Sequence, residues 1–453
     1  MKSAVPTYFP RSFLDLIILC ERGLNGTEIN SDRLSQTETC FNTFSRSIPV
    51  QLAFVLFAVV FIIVYYYIIL PRDYSPRTEK YAGVLNFINN SAPRKIKHRK
   101  KLEEFYDDIK RSSKIGNVFP VFPNGWYVIT ASDEVSAKWV TFVSALGENL
   151  AVFRTTEGAV RVVDAYCAHL DADMANGGKV KENCLECNFY GWRLDGSTST
   201  KVPFTEKVPD FARVRTWKSC EVNDCVFVWY HAEGEEPTWE PRPWEKIRNK
   251  WYVGRFQHWV RCHIQDTYEN ASDFTHFKVV HGPFLYGGSR IWDLCNRVLE
   301  SLIQQQTTCF GWKTDGRDEP HELTINISHQ IRFIRKFTIT TGHITIRQFG
   351  PGYQELSMEL LFGKSFMITG ITPHGPLRQK MFTRFYSSSV DLLFHRLFIP
   401  VALDQIERDI AIWDFKKFMD SPLLLREEKS IMKFRRWYSQ FYTANSPRYT
   451  PQH

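Results

Sequence analysis

Residues 164–192 read DAYCAHLDADMANGGKVKENCLECNFYGW. Two short Cys-led loops frame this stretch: Cys167-Ala168-His169 and, seventeen residues on, Cys187-Asn188-Phe189-Tyr190. Gly177-Gly178 and Gly191 supply turn chemistry around them, and a third thiol, Cys184, lies three residues before Cys187. Outward from the loops the chain is a series of short apolar runs rich in β-branched and aromatic residues, broken by glycine. They are WYVI (126–129), WVTFV (139–143), LAVFRTT (150–156), AVRVVDAY (159–166) and CVFVWYH (225–231). Runs of this length with turn signals between them read as strands. An all-β domain over about 120–235 is therefore expected.

The whole chain has 453 residues, enough for two packed domains and accessory segments. The formal net charge is +8 with 23% charged residues. The excess is modest and no base-stacking motif goes with it, so nucleic acid is not an expected partner. Aromatic residues make up 15%, which suits an apolar ligand pocket, an aromatic-rich core or a membrane belt. The ten cysteines are unevenly spaced and imply no disulfide scaffold. Cys220, Cys225, Cys262, Cys295 and Cys309 read as buried thiols.

Val50 to Leu70, VQLAFVLFAVVFIIVYYYIIL, has no charged residue and its one strongly polar residue, Gln51, is at the end. As a helix it would rise roughly 30 Å, the thickness of a bilayer core. Tyr65, Tyr66 and Tyr67 sit where an aromatic belt belongs. Phe13 to Leu19 is too short to span and contains Asp15. Cations crowd the far side, from Arg72, Arg77 and Lys80 to the run of residues 94–101, whereas Arg46 is the only nearby cation before the span. The charge asymmetry puts the C-terminal part in the cytosol and residues 1–49 in the lumen. There Asn25-Gly26-Thr27 would be a usable sequon and Cys20 and Cys40 would be free to pair. Residues 71–119 read as a basic juxtamembrane linker able to touch anionic lipid.

A Pro- and Trp-rich link, residues 237–251, leads into a second domain over 236–453. Its strands include LTINISHQIRF (323–333), FTITTGHITIRQF (337–349) and QELSMELLFG (354–363). Helices are expected from about Leu403 to Phe418 and over 425–442. The segment DTYENASDFTHFKVVH (266–281) places His276 and His281 five apart, with Asp273 three before His276. Two imidazoles and one carboxylate hold Fe(II) in oxygenases and leave coordination positions open. On a regular helix i and i+5 lie about 140° apart, so both can face one ion only at a helix end or distortion.

These motifs resemble a known family. Cys167-Ala168-His169 with Cys187-Asn188-Phe189-Tyr190 is similar to the C-x-H and C-x-x-H loops of Rieske clusters. Asp273, His276 and His281 match the D-x-x-H-x-x-x-x-H segment of Rieske oxygenases. The late helix DQIERDIAIW (404–413) supplies Asp409 as the third iron ligand, with Glu407 as the fallback. Together with Asn124-Gly125-Trp126, His263-Ile264-Gln265 and the closing stretch of residues 435–442, the chain resembles the cholesterol 7-desaturase (Neverland) family of Rieske-type non-haem iron oxygenases.

The resemblance implies an α+β architecture: an N-terminal transmembrane helix, an all-β Rieske domain, and an antiparallel-sheet catalytic domain with flanking helices. It implies a [2Fe–2S] cluster held by Cys167, His169 and Cys187, and a mononuclear Fe(II) on His276, His281 and Asp409. It further implies a sterol substrate, electrons from NAD(P)H through a separate reductase, a head-to-tail homotrimer, and residence in the endoplasmic reticulum membrane. The implied reaction is conversion of cholesterol to 7-dehydrocholesterol in steroid hormone synthesis. Asp273 would link the cluster of one subunit to the iron of its neighbour.

The chain departs from the family at Tyr190, where the second Rieske His belongs, and at Asn188 and Ala168. Three readings follow: Tyr190 ligates, Cys184 completes the cluster, or the cluster is lost. Tyr190 alone motivates the alternative of a catalytically impaired sterol-binding or regulatory relative.

Overall fold

The structure is a computed structural model. It describes residues 48–75, 120–281, 302–388 and 391–448, apart from gaps at 138, 195–198, 202–212, 316–317, 335, 361–362, 415 and 417–421. The sequon at Asn25, Cys20, Cys40, Cys295 and the basic run 94–101 lie outside the described residues. The chain divides into two compact units, residues 1–68 and 69–453.

In the first unit, helix α1 (Ile48–Val64) runs for 17 residues, and a π-helical turn, Tyr65–Ile69, follows without a break. Val55, Phe57, Ile62 and Tyr66 are all exposed. Taken singly, no helix among the described residues is both long and apolar enough to cross a membrane.

The second unit is built on an eight-stranded sheet. Its strands are β1 (Arg72–Asp73), β12 (Trp251–Val260), β13 (Ile303–Asp315), β14 (Glu319–Phe333), β15 (Phe337–Phe349), β16 (Tyr353–Leu360), β17 (Gly363–Gly375) and β18 (Arg378–Ser387). They lie in the order β1-β12-β18-β17-β16-β15-β14-β13, antiparallel throughout except where β1 joins β12. Long β-branched alternation, as in β14, gives one buried and one half-exposed face.

A three-stranded sheet packs on this one: β2 (Gly125–Ala131), β10 (Ser219–Val222) and β11 (Cys225–Tyr230). Trp126, Val128 and Phe227 from the small sheet meet Phe349, Phe366, Ile368 and Phe382 from the large one in a common core. Gly370 lets the layers close: a Cβ there would come within 2.6 Å of Val128. A second small sheet holds β3 (Thr141–Ala145), β4 (Glu148–Arg154) and β5 (Val160–Asp164). A third holds β6 (Lys179–Lys181), β7 (Cys184–Glu186), β8 (Arg193–Leu194) and β9 (Ser199–Lys201), and carries the second Cys-led loop between β7 and β8. The expected α+β pairing of an all-β domain with an antiparallel-sheet domain is what forms.

The expected linker 71–119 does not begin as one. Arg72 and Asp73 pair in parallel with Gly254 and Arg255, and glycine at 254 is required because a Cβ would sit 2.3 Å from the Arg72 carbonyl oxygen. Asp73 accepts from Arg255 at 2.8 Å, and the Gln257 backbone N–H donates to Ser75 at 2.9 Å. Arg396 closes the join. This buried residue of helix α4 (Leu392–Trp413) donates to the Tyr74 hydroxyl at 3.0 Å, to the Val253 carbonyl at 3.1 Å and to the Leu70 carbonyl. Removing such a donor leaves buried acceptors unsatisfied, at about 1–3 kcal/mol for the group. Arg396→Met is expected to lower the denaturation midpoint accordingly and to open residues 70–75 to protease. Arg396→Lys should recover little, because one ammonium cannot span three acceptors.

Candidate functional site

Helix α2 (Ile264–Glu269) is entirely buried, and a single 3-10 turn, Asn270–Ser272, ends it before the short helix α3 (His276–Val279). The helix end that the five-residue spacing needs comes after His276: α3 stops at Val279, and His281 falls past it. Asp273 shapes the turn into α3. Its carboxylate accepts from the Thr275 backbone at 3.1 Å, the Thr275 hydroxyl at 2.7 Å and the His276 backbone at 3.3 Å. The Asp273 carbonyl takes the Nδ1 of His276.

Across from this turn, α4 presents Asp409. His276, His281 and Asp409 each place one ligand atom within 4.8 Å of the others. His281 Nε2 stands 3.2 Å from Asp409 Oδ2, and the two imidazole rings are 5.0 Å apart at 73°. Of the two carboxylates weighed in the sequence, Asp409 is in this group and Glu407 is not. Burial pushes the Glu407 carboxyl up, with Asp404 adding to the shift.

The hydrogen bonds fix which atoms are offered. His276 Nδ1 is committed to a carbonyl, so it carries the proton and leaves Nε2 as a lone pair. That Nε2 is buried with no hydrogen-bond partner. Burial also lowers the His276 pKa against the pull of Asp409, which favours the neutral imidazole a metal requires. His281 Nδ1 meets Gln405 Oε1 at 2.7 Å, an acceptor, so its Nε2 is likewise the free base. Asn270 donates to Asp409 Oδ2 at 2.9 Å and orients the carboxylate. An orphaned buried nitrogen, two imidazoles held with Nε2 inward and one carboxylate fit a mononuclear iron.

Gln405, Asn270 and His329 were not legible as site residues. Gln405 was the most accessible, since it lies four before Asp409 on the same helical face. His329, on β14, is pushed down by burial and then by neighbouring His281. Because partners of ligating His typically matter 10- to 100-fold, Gln405→Leu is expected to weaken iron binding by about that factor. Titration of the apoprotein with ferrous iron measures it.

The two Cys-led loops also converge. Cys167 and Cys187 are buried in one core with Met174, Leu185 and Trp192, and their thiols hydrogen-bond. Burial raises Cys167 to about 11, opposed by the His169 backbone N–H donating to its sulfur. His169 stacks on Trp192 with ring centroids 4.7 Å apart, and its Nδ1 is buried with no hydrogen-bond partner. The Tyr190 ring meets His169 edge-on, also at 4.7 Å. Asn188 donates to the Asn176 carbonyl at 2.9 Å and so ties the second loop to the Gly177 turn, which has a positive φ of 104°. Paired thiols on one side and an unpartnered imidazole nitrogen on the other fit three of the four ligands of a [2Fe–2S] cluster.

Comparison with known proteins agrees with this geometry. Residues 125–217 match the family described as "Rieske [2Fe-2S] domain", and residues 228–442 match "3-Ketosteroid 9alpha-hydroxylase C-terminal domain". A cholesterol 7-desaturase of Xenopus laevis is 39% identical, with 76% of this chain and 77% of that protein covered. One from Ciona intestinalis is 38% identical, covering 76% and 73%. The oxygenase component of a 3-ketosteroid-9-alpha-monooxygenase from Rhodococcus rhodochrous is 25% identical, covering 71% and 81%. Among solved structures, dicamba monooxygenase superposes with a TM-score of 0.54 at 16% identity, over 72% of this chain and 98% of that one, a likeness of fold. The chain belongs to the cholesterol 7-desaturase family of Rieske-type non-haem iron oxygenases.

Proposed function

We propose that this chain is a sterol oxidoreductase that removes two hydrogens from cholesterol, at C7 and C8, to give 7-dehydrocholesterol. The observation that carries the reading is the convergence of His276, His281 and Asp409 in a chain whose relatives are cholesterol 7-desaturases. The overall balance is one sterol, one O2, one NAD(P)H and one proton giving the diene, two waters and NAD(P)+. A separate reductase draws the electrons from NAD(P)H. Iron on the triad would supply oxygen activation. The chain's own residues hold the two Nε2 atoms and the carboxylate toward one point, through Asp273, Gln405 and Asn270. The impaired-relative alternative is not favoured, because the iron triad is fully built.

The membrane reading is part of the proposal. Residues 50–70 cross the endoplasmic reticulum membrane once, with the catalytic portion cytosolic. The unbroken run of α1 into the π-helical turn supports it, as does the cationic flank after Leu70. A sterol that dissolves in lipid would then reach the enzyme from the bilayer. Assembly as a homotrimer is supported by exposed apolar side chains at the loop tips, Tyr166, Leu170 and Phe189. In such an assembly Asp273 of one subunit would face the Rieske loops of the next.

The test supplies cholesterol and, separately, a 3-ketosteroid to membranes containing the protein, a reductase and NADPH. The proposal expects a cholesterol product lighter by two hydrogens with no oxygen gained. A hydroxylated 3-ketosteroid with cholesterol untouched would replace it with a hydroxylase.

A further inference from the structure

We infer that Tyr190 is itself a cluster ligand, so that the [2Fe–2S] group is held by two thiolates, one imidazole and one phenolate. The inference rests on the Rieske domain being cluster-bearing. A Rieske cluster needs two thiols at one iron and two other donors at the second. The site already divides in that way. Cys167 and Cys187 are mutually hydrogen-bonded, while His169 and Tyr190 are in ring contact.

Tyr190 packs against the same core as both thiols, whereas its neighbour Phe189 is 63% exposed. The loop therefore turns residue 190 inward, where the missing imidazole belongs. That turn is well built: the Gly191 N–H donates to the Cys187 carbonyl at 3.0 Å and the Cys187 N–H to the Trp192 carbonyl at 2.8 Å. Gly191 has a φ of 68°, which favours glycine.

Strand alternation argues against Cys184. On β7, Leu185 points into the core beside Cys167 and Cys187. Cys184 and Glu186 therefore face the opposite side.

The chemistry balances without an oxidant. The phenol O–H breaks, its proton leaves to water, and the oxygen forms a bond to ferric iron. Hard ferric iron accepts an oxygen donor readily, and a bound cation drives deprotonation. One neutral ligand is thereby replaced by an anion. Cluster potential follows net charge, so the midpoint should lie below that of the same domain carrying histidine at 190.

The test uses the full-length, detergent-solubilised chain, reconstituted anaerobically with ferrous iron and sulfide. Wild type should retain acid-labile sulfide and show a phenolate-to-iron charge-transfer band with tyrosine ring modes in resonance Raman. Tyr190→Phe, which removes one oxygen atom, should lose that band and most of the sulfide. Tyr190→His should keep sulfide, lack the band and titrate at a higher potential. Cys184→Ser should match wild type throughout.

Full sulfide and an unchanged spectrum in Tyr190→Phe would overturn phenolate ligation. So would an empty wild type beside a loaded Tyr190→His. Absence of sulfide from both would overturn the cluster reading as well. Sulfide-independent iron, abolished by His276→Ala, reports the mononuclear site separately, so failure at one site is not mistaken for failure at the other.

Discussion

Asp409→Asn is expected to leave a folded protein that keeps its sulfide but loses mononuclear iron and all detectable sterol product. The substitution is nearly isosteric and keeps a partner for Asn270, so the packing around α4 should survive. What it removes is the single negative charge among two neutral imidazoles. Perturbing the groups that merely orient metal ligands costs about 10- to 100-fold, and losing the anionic ligand should exceed that range. Iron analysis and product formation measure the two losses. Glu407→Gln, on the same helix but outside the triad, should change neither. Equal losses in both variants would mean that α4 acts through its fold and not through Asp409.

The largest expected effect on stability is at Arg435. This residue of helix α5 (Lys429–Tyr438) grips Glu269 at the end of α2 with two hydrogen bonds, 2.6 and 3.0 Å, and both side chains are largely buried. Removing one member of a buried pair leaves an uncompensated charge, at about 3–5 kcal/mol. Arg435→Met should lower the unfolding free energy by that amount in denaturant titration. Because Glu269 is adjacent to Asn270, the partner of Asp409, iron affinity should fall with it. Adding Glu269→Gln should recover part of the loss, since the stranded charge is then gone. A double variant as unstable as the sum of the singles would show that the two groups are uncoupled.

Strongly periodic segments show their strands in the sequence itself. FTITTGHITIRQF, at 337–349, is a strand over those same residues, and the run at 225–231 is a strand over Cys225–Tyr230. Elements without an apolar pattern do not. IQQQTTCFGWKTD, residues 303–315, forms a long strand because β14 pairs with it along its length, a tertiary cause that polar glutamines and threonines do not announce. Arg72–Asp73 is a strand only because the β12 edge and Arg396 hold it. Helix α4 begins at Leu392, eleven residues before the expected Leu403, with Pro400 inside it. A proline there reads as a helix stop, yet the helix continues across it.

At the site, residue types and spacing named His276, His281 and Asp409 through resemblance, but only the fold separates Asp409 from Glu407. Two residues apart on a helix, they face about 200° from one another. The roles of Asn270 and Gln405 depend on contacts between segments more than a hundred residues apart, and only the spacing of Gln405 from Asp409 points to either in the sequence.

Desaturation of cholesterol by this chain is measured as 7-dehydrocholesterol in cells that express it and are fed cholesterol, beside His276→Ala expressed to the same level. Product is expected from the unmodified chain and none from His276→Ala. Cholesterol left unchanged by both, with the protein present and iron bound, would contradict desaturation by this chain.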